Sequence, residues 1–242
     1  MKYPVIDLAA AADSLPDEHK TLKHRIKQLR DSHSIQTDLT LAVEFIGTMQ
    51  ALKKNAAAKN AGGIAQNAFL ALFYSSLLLY VRATKTQHDH RASFDFRAEY
   101  NDDQKIKHDV LCDLRDKALA HYGPGGRYVG PAFQKEGVFI PYYEGTHGRI
   151  MNASHRLIIQ PELISSLQQM THRALMISER RTQALNQKVV DLVNTTAQQD
   201  AELLPLLRQH ITDLSTFLGS EEAAHEVMTG SQVGYHRGTV NH

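Results

Sequence analysis

Arg115 and His121 stand six positions apart in the segment 114–123, which reads Leu-Arg-Asp-Lys-Ala-Leu-Ala-His-Tyr-Gly. A guanidinium stabilises charge developing on a phosphoryl group and an imidazole moves a proton near neutral pH, so the pair suits RNA cleavage by the RNA's own 2′-hydroxyl. Such chemistry calls for no metal. On an ideal helix the two side chains lie about 120° apart around the axis and about 9 Å apart along it, so they do not touch without a second surface. The same residues also read as structure. His121 then becomes a half-buried helix-end imidazole favoured by the C-terminal dipole, and Arg115 the partner of Asp116 or of a neighbouring carboxylate.

The helix that positions this pair opens at Asp102 or Asp103 and is expected to run to about His121. Gly123, Pro124, Gly125 and Gly126 end it, because glycine accepts the left-handed C-terminal conformation and proline cannot continue the ladder. Ile106, Val110, Leu111, Leu114 and Ala118 form its apolar sector; His121 projects into that sector and Arg115 lies at its border. Upstream, Glu18 to Arg30 reads as a short charged helix. Thr37 or Asp38 caps a longer one carrying Leu41, Phe45, Met49 and Leu52, and after Gly62 and Gly63 a third helix follows with Ile64, Ala68, Ala71, Leu72, Leu78 and Leu79. The second and third are expected to form an antiparallel hairpin. Residues 86–101 show no clean period and read as a surface loop.

Beyond the stop, residues 128–159 are rich in aromatic and β-branched types between glycines and prolines. They predict a small β-hairpin or three-stranded insertion, with Pro141 confining its strand to an edge. Pro161 then opens a long helix through Leu163, Leu167, Met170, Leu175 and Ile177 toward Leu192, and residues 200–218 predict one more helix with Pro205 in its first turns. The fold class is therefore mainly α. A single domain is expected over residues 1–218, with a core at about 38–197, followed by a flexible tail at 219–242.

The 27 Lys+Arg against 26 Asp+Glu leave the 242-residue chain near neutral, so any nucleic-acid contact must come from local patches. Arg173, Arg180 and Arg181, with Lys188, are candidates for a basic groove that follows an RNA backbone; the plainer alternative is a solvated charged face. One cysteine, Cys112, excludes an internal disulfide and suits a reducing compartment. Pro4 and Asp7 interrupt the first apolar run, which argues against a signal peptide, and the apolar stretch 68–81 falls short of the roughly 20 residues that cross a bilayer. A cytoplasmic chain without membrane contact is expected.

The segment 115–121 resembles the signature of the HEPN superfamily, an Arg and a His separated by four to six positions of which the first is usually polar; five intervene here, beginning with Asp116. Leu114 to His121 reads very nearly like the Leu-Arg-Asp-Lys-x-x-Ala-His of members found in abortive-infection and toxin systems. The resemblance covers about residues 38–197 and implies an antiparallel helical bundle, here with a β insertion between the motif helix and the long helix after it. It further implies a homodimer in which two motif helices face each other across one composite cleft, a metal-independent endoribonuclease acting on single-stranded RNA, and no cofactor. By position, His121 would be general base or acid, Arg115 the phosphate and transition-state clamp, and Asp116 the polar residue that orients them. Tyr122, close to the Arg115 side of the helix, could stack on a base. An antitoxin or defence-system partner would accompany such an enzyme. The insertion at 128–159 is larger than a minimal bundle requires, and the superfamily also includes non-catalytic dimers that bind nucleotides or proteins, which is the alternative reading.

Other constellations are less specific. His108-Asp109 resembles the central pair of metal-dependent HD phosphohydrolases, with His88 or His90 upstream and Asp191 or Asp200 downstream as further ligands. Lys105, Ile106 and Lys107 before the pair and Val110, Leu111 and Cys112 after it depart from that family's small and apolar context, and a solvated helix edge is the plainer reading. His88-Asp-His90 lacks a third ligand at a recognisable spacing, and the glycines at 123–126 lack the Lys-Ser/Thr of a phosphate-binding loop. Cys112, one turn before Arg115, reads as a small buried hydrophobe.

Overall fold

The computed structural model describes residues 1–59, 63–85, 91, 94–119, 134–140, 150–156 and 160–230. The chain is mainly α, and its contacts divide into two compact units: Met1–Thr37 with the described residues from Ser178 onward, and Asp38–Ile177. The sequence reading draws one domain over 1–218, yet two long helices contribute residues to both units.

In the first unit, strand β1 (Pro4–Ile6) pairs antiparallel with β4 (Ile211–Asp213), Val5 opposite Thr212. Helix α1 (Leu8–Ser14) follows immediately because Asp7 caps it, its side chain accepting from the backbone N–H groups of Ala9 and Ala10 at 2.9 and 3.0 Å. Ala11, Ala12 and Leu15 pack with Leu22 and Ile26 of α2 (Lys20–Lys59), with Val189 of α5 (Pro161–Gln199), and with Leu203 and Leu207 of α6 (Leu203–Arg208).

Three expectations change here. Helix α2 is continuous, so no break or cap occurs at Thr37 or Asp38: no Gly or Pro lies between Arg30 and Asp38, and Thr37 Oγ1 donates back to the carbonyl of His33 at 2.9 Å. The single helix expected over 200–218 is divided, because Ile211 and Thr212 are β-branched and pair with β1, after which Asp213 caps α7 (Leu214–Leu218). Part of the expected tail is ordered as α8 (Glu221–Met228), capped by Ser220, with Ala223 and Ala224 buried and Lys2 Nζ on Glu221. Gly219, with φ of 68°, makes the left-handed turn between α7 and α8.

The second unit holds the rest of α2, α3 (Gly63–Thr84), α4 (Asp102–Asp113), a π-helical turn at Leu114–Leu119, the strands β2 (Gln134–Phe139) and β3 (Met151–Arg156), and the start of α5. Helix α3 returns along α2 as the expected hairpin, its last turn placing Arg82 on Asp38. The buried face of α2 in this unit is Leu39, Ala42, Ile46 and Met49; Met49 was expected there, whereas Leu41, Phe45 and Leu52 of the expected stripe are half-buried. Helix α3 is apolar on nearly every side, so periodicity could not mark its inner face. That face is Phe73, Ser76, Leu77, Tyr80, Val81 and Thr84, while Ile64 and Leu78 are exposed. The Ser76 and Thr84 hydroxyls are satisfied by the carbonyls of Leu72 and Tyr80, which lets polar residues occupy the core. At 22 residues α3 is long and apolar enough to cross a membrane by length and composition, longer than the 68–81 stretch suggests; its inner face is instead buried within this unit.

Phe96 and Tyr100 are buried within the segment read as a surface loop, while Asp95, Arg97 and Ala98 are exposed; the segment leads into the Asn101 cap of α4, where Gln104 completes a reciprocal capping box. Strands β2 and β3 form the antiparallel hairpin expected of the insertion, Phe139 opposite Met151. Pro141 and the glycines at 123–126 lie outside the described residues. Helix α5 begins at Pro161 as expected and buries Leu163, Leu167, Met170, Ala174 and Ile177 on this unit.

Candidate functional site

Helix α4 turns His108, Leu111 and Cys112 inward and leaves Ile106 exposed. Of the predicted apolar sector, Leu111 and Leu114 are buried, Val110 is half-buried and Ile106 is exposed, and a solvated His108–Asp109 edge is half wrong. His108 is a core side chain: Tyr80 Oη lies 2.8 Å from its Nδ1, the Tyr100 ring is 5.5 Å away, and burial holds its pKa below the usual histidine value. Asp109 points outward to Arg97. His108 thus faces the core and Asp109 faces Arg97, and the further ligands of the HD-type reading, His88 and His90, lie outside the described residues. The buried Cys112 thiol is pushed up to about 12, burial outweighing the lowering effect of Lys85, so it remains protonated and unreactive at neutral pH.

The inward face of α4 leads directly to Arg115. There the α-helical ladder gives way to the π turn, a conformation that is rare and recurs at functional sites. Each turn now takes an additional residue, so the angle worked out for an ideal helix between positions 115 and 121 does not carry over. Arg115 Nη1 donates to Asp116 Oδ1 at 2.8 Å, and Lys85, just past the end of α3, donates from Nζ to Asp116 Oδ2 at 2.7 Å. One carboxylate thus lies between two cations. Partial burial of Asp116 opposes ionisation, but the hydrogen bonds from Lys85 and Arg115 outweigh it and hold the carboxyl below the usual carboxylate range. The Arg115 Nε is buried and has no hydrogen-bond partner among the described residues.

Arg115 and Asp116 therefore come together as expected, joined by Lys85, which sequence reasoning missed. The only signal for Lys85 was a basic residue at the C-terminal end of an apolar helix, which on its own suggests nothing beyond a dipole contact. His121 and Tyr122 lie outside the described residues. Arg173 belongs to the same unit as Arg115; it lines a shallow groove between α4 and α5 with Gln104, Ser165, Gln168, Gln169 and His172, and its Nε is buried without a partner among the described residues. Arg180, which is exposed, and the half-buried Arg181 belong to the other unit, and both already engage other groups.

No family model, curated protein or solved structure matches the chain.

Proposed function

We propose that the chain is a metal-independent endoribonuclease of HEPN type that cleaves single-stranded RNA by 2′-hydroxyl transesterification in a composite cleft between two copies, serving phage defence, stress response or a toxin–antitoxin system. The observation that carries this reading is Arg115 on its π turn, one nitrogen fixed by Asp116 and another buried without a partner, six positions before His121. A guanidinium fixed at Nη1 by Asp116 and packed around its buried Nε is held in one orientation, from which a terminal nitrogen can meet an incoming phosphate. In this reading Arg115 stabilises the charge of the phosphorane-like transition state, His121 takes the 2′-hydroxyl proton or supplies one to the leaving 5′-oxygen, and Asp116 orients Arg115. Lys85 adds positive charge, Tyr122 stacks on a base, and Arg173, Arg180 and Arg181 contact the RNA backbone.

Purified protein incubated with mixed single-stranded RNA in EDTA is expected to cleave it. Arg115→Ala is expected to lower the rate about 100- to 1,000-fold, as for loss of a transition-state donor. His121→Ala is expected to lower it about 100- to 10,000-fold, as for loss of a general acid or base. Undiminished cleavage by both variants would remove these residues from the site.

A second reading, a non-catalytic helical dimer that binds a partner protein, rests on the hairpin. Val138, Phe139, Ile140, Ile150 and Met151 are between 47% and 72% exposed, more apolar surface than so small an element needs. It predicts no RNA turnover and an unchanged dimer mass in His121→Ala. A monomer in light scattering would count against both readings.

A further inference from the structure

His19 closes a single 3₁₀ turn, Asp17–His19, just before α2, and its side chain is only 6% exposed. Burial of an imidazole is ordinarily matched by a hydrogen bond at each ring nitrogen that water no longer reaches. Its Nε2 instead has no hydrogen-bond partner among the described residues, although Asp200 Oδ2 lies 3.0 Å away and Glu18 Oε1 4.0 Å away. Both distances are short, yet the nearer oxygen stands outside the direction in which that nitrogen donates. Two donors that approach each other without a shared proton are arranged as ligands of a shared cation are.

The dimensions agree. A tetrahedral Zn²⁺ with bonds of about 2.0–2.2 Å sets its ligand atoms about 3.4 Å apart, between the two separations seen here. Among the described residues, Glu18, His19 and Asp200 are the group of His, Cys, Asp and Glu side chains whose donor atoms all lie within 4.8 Å of one another. Asp200 is itself oriented: its Oδ1 accepts from the backbone N–H of Glu202 at 2.9 Å, which leaves Oδ2 turned to the histidine. Outer hydrogen bonds of this kind fix carboxylate ligands at metal centres. Glu18, 73% exposed, reaches the position from the solvent side and can close on an ion without moving the backbone.

We infer that this chain binds one first-row divalent cation of the Zn²⁺ class through His19 Nε2 and the carboxylates of Asp200 and Glu18. The imidazole nitrogen selects against Mg²⁺ and Ca²⁺, which take oxygen ligands, and the absence of a thiolate from the set excludes the soft-metal preferences of cysteine sites. Three protein ligands leave a fourth position for water or an exchangeable ligand. The site ties the turn before α2 to the residue that follows α5, both within the first unit, and does not depend on the ribonuclease reading.

Full-length protein stripped with EDTA and dialysed is titrated with ZnCl₂ by calorimetry, with MgCl₂ as the comparison, and with CoCl₂ while visible absorption is followed. The expected result is one equivalent of Zn²⁺, no matching Mg²⁺ isotherm, a Co²⁺ ligand-field band, and a rise in melting temperature with Zn²⁺. His19→Ala should abolish the one-equivalent phase, and Asp200→Asn and Glu18→Gln should each weaken it at least ten-fold. The Glu18 variant alters an exposed side chain, so it tests the site even if His19→Ala fails to fold. Zn²⁺ binding of equal stoichiometry and affinity in the folded Asp200 and Glu18 variants would assign the metal to other histidines of the chain and overturn the inference. So would the absence of Zn²⁺ binding by the wild type.

Discussion

Replacing Tyr80 by Phe removes one oxygen from the contact between α3 and α4 nearest to Arg115. Tyr80 is five residues before Lys85 on one helix and His108 seven before Arg115 on the other, so their hydrogen bond fixes the register that brings Lys85 to Asp116. Both side chains are buried, at 0% and 5% exposure. Without the hydroxyl, His108 Nδ1 retains among the described residues the Cys112 sulfur at 3.9 Å, too distant to replace an oxygen at 2.8 Å. A buried polar atom left unpaired costs about 1–3 kcal/mol, and ring packing is otherwise unchanged. For a chain of this size, a loss of about 2 kcal/mol lowers the melting temperature by about 4–8 °C. Circular dichroism at pH 7.5 reads the shift directly.

The pH dependence checks the same contact independently. Burial lowers the His108 pKa, Asp109 opposes that shift, and Arg97 and Lys85 add to it, so the folded protein holds the ring neutral. Below about pH 6.5 the unfolded chain takes up a proton that the folded one resists; the stability contribution is therefore complete above that pH and declines as the pH falls below it. Burial lowers the His33 pKa as well, against a hydrogen bond that the ring donates to Asn186, and adds a parallel decline, so the difference between wild type and His108→Gln isolates His108. The His108→Gln variant should lose stability less steeply on acidification. Identical acid slopes in these two proteins, together with a Tyr80→Phe melting temperature unchanged within error, would refute the assignment of His108 to the core.

The remaining predictions concern the helices and the site. Ser34→Pro, at an exposed position, should cost about 3 kcal/mol or more in urea unfolding because α2 is continuous there; a negligible cost would restore the break expected between two helices. Asp38 is buried and receives both Arg82 and Arg91, so Asp38→Ala should destabilise by about 2–4 kcal/mol, less than a fully enclosed pair because Arg82 is half exposed. Asp116→Asn should lower RNA cleavage about ten-fold by weakening the hydrogen bond that orients Arg115, roughly 1.4 kcal/mol, with little change in melting temperature. Unchanged kcat/KM in that variant would mean that Arg115 is positioned by something else.

Helices whose apolar residues sit on one side were legible from residue types alone. Helix α5 begins at the proline that favours a first turn and buries Leu163, Leu167, Met170 and Ile177 as its period predicts. The inner face of α3 was not, because leucines and alanines surround the axis; Ser76 and Thr84 satisfy their hydroxyls within the helix itself, and Tyr80 finds His108 only in the folded unit. Strand β4 was misread for a similar reason. The residues Ile211, Thr212 and Asp213 are too few to show alternation, and their conformation is set by pairing with β1 more than two hundred positions away.

The same distinction between local and distant causes runs through the candidate site. Arg115 and Asp116 are adjacent in the chain, so their pairing follows from sequence order together with helix geometry, and the Arg–His spacing carried a resemblance before any fold was known. Lys85 is 31 positions away and reaches Asp116 only because the Tyr80–His108 contact sets α3 against α4. His19 is more distant still from Asp200, which the sequence offered only as an outlying ligand of the His108–Asp109 pair. The Arg–His spacing therefore found the part of the candidate site that one helix can supply, and no motif found the His19 group. Lys85, which helps tune Asp116, and Asp200, which faces His19, come from elements that only packing brings within 4 Å.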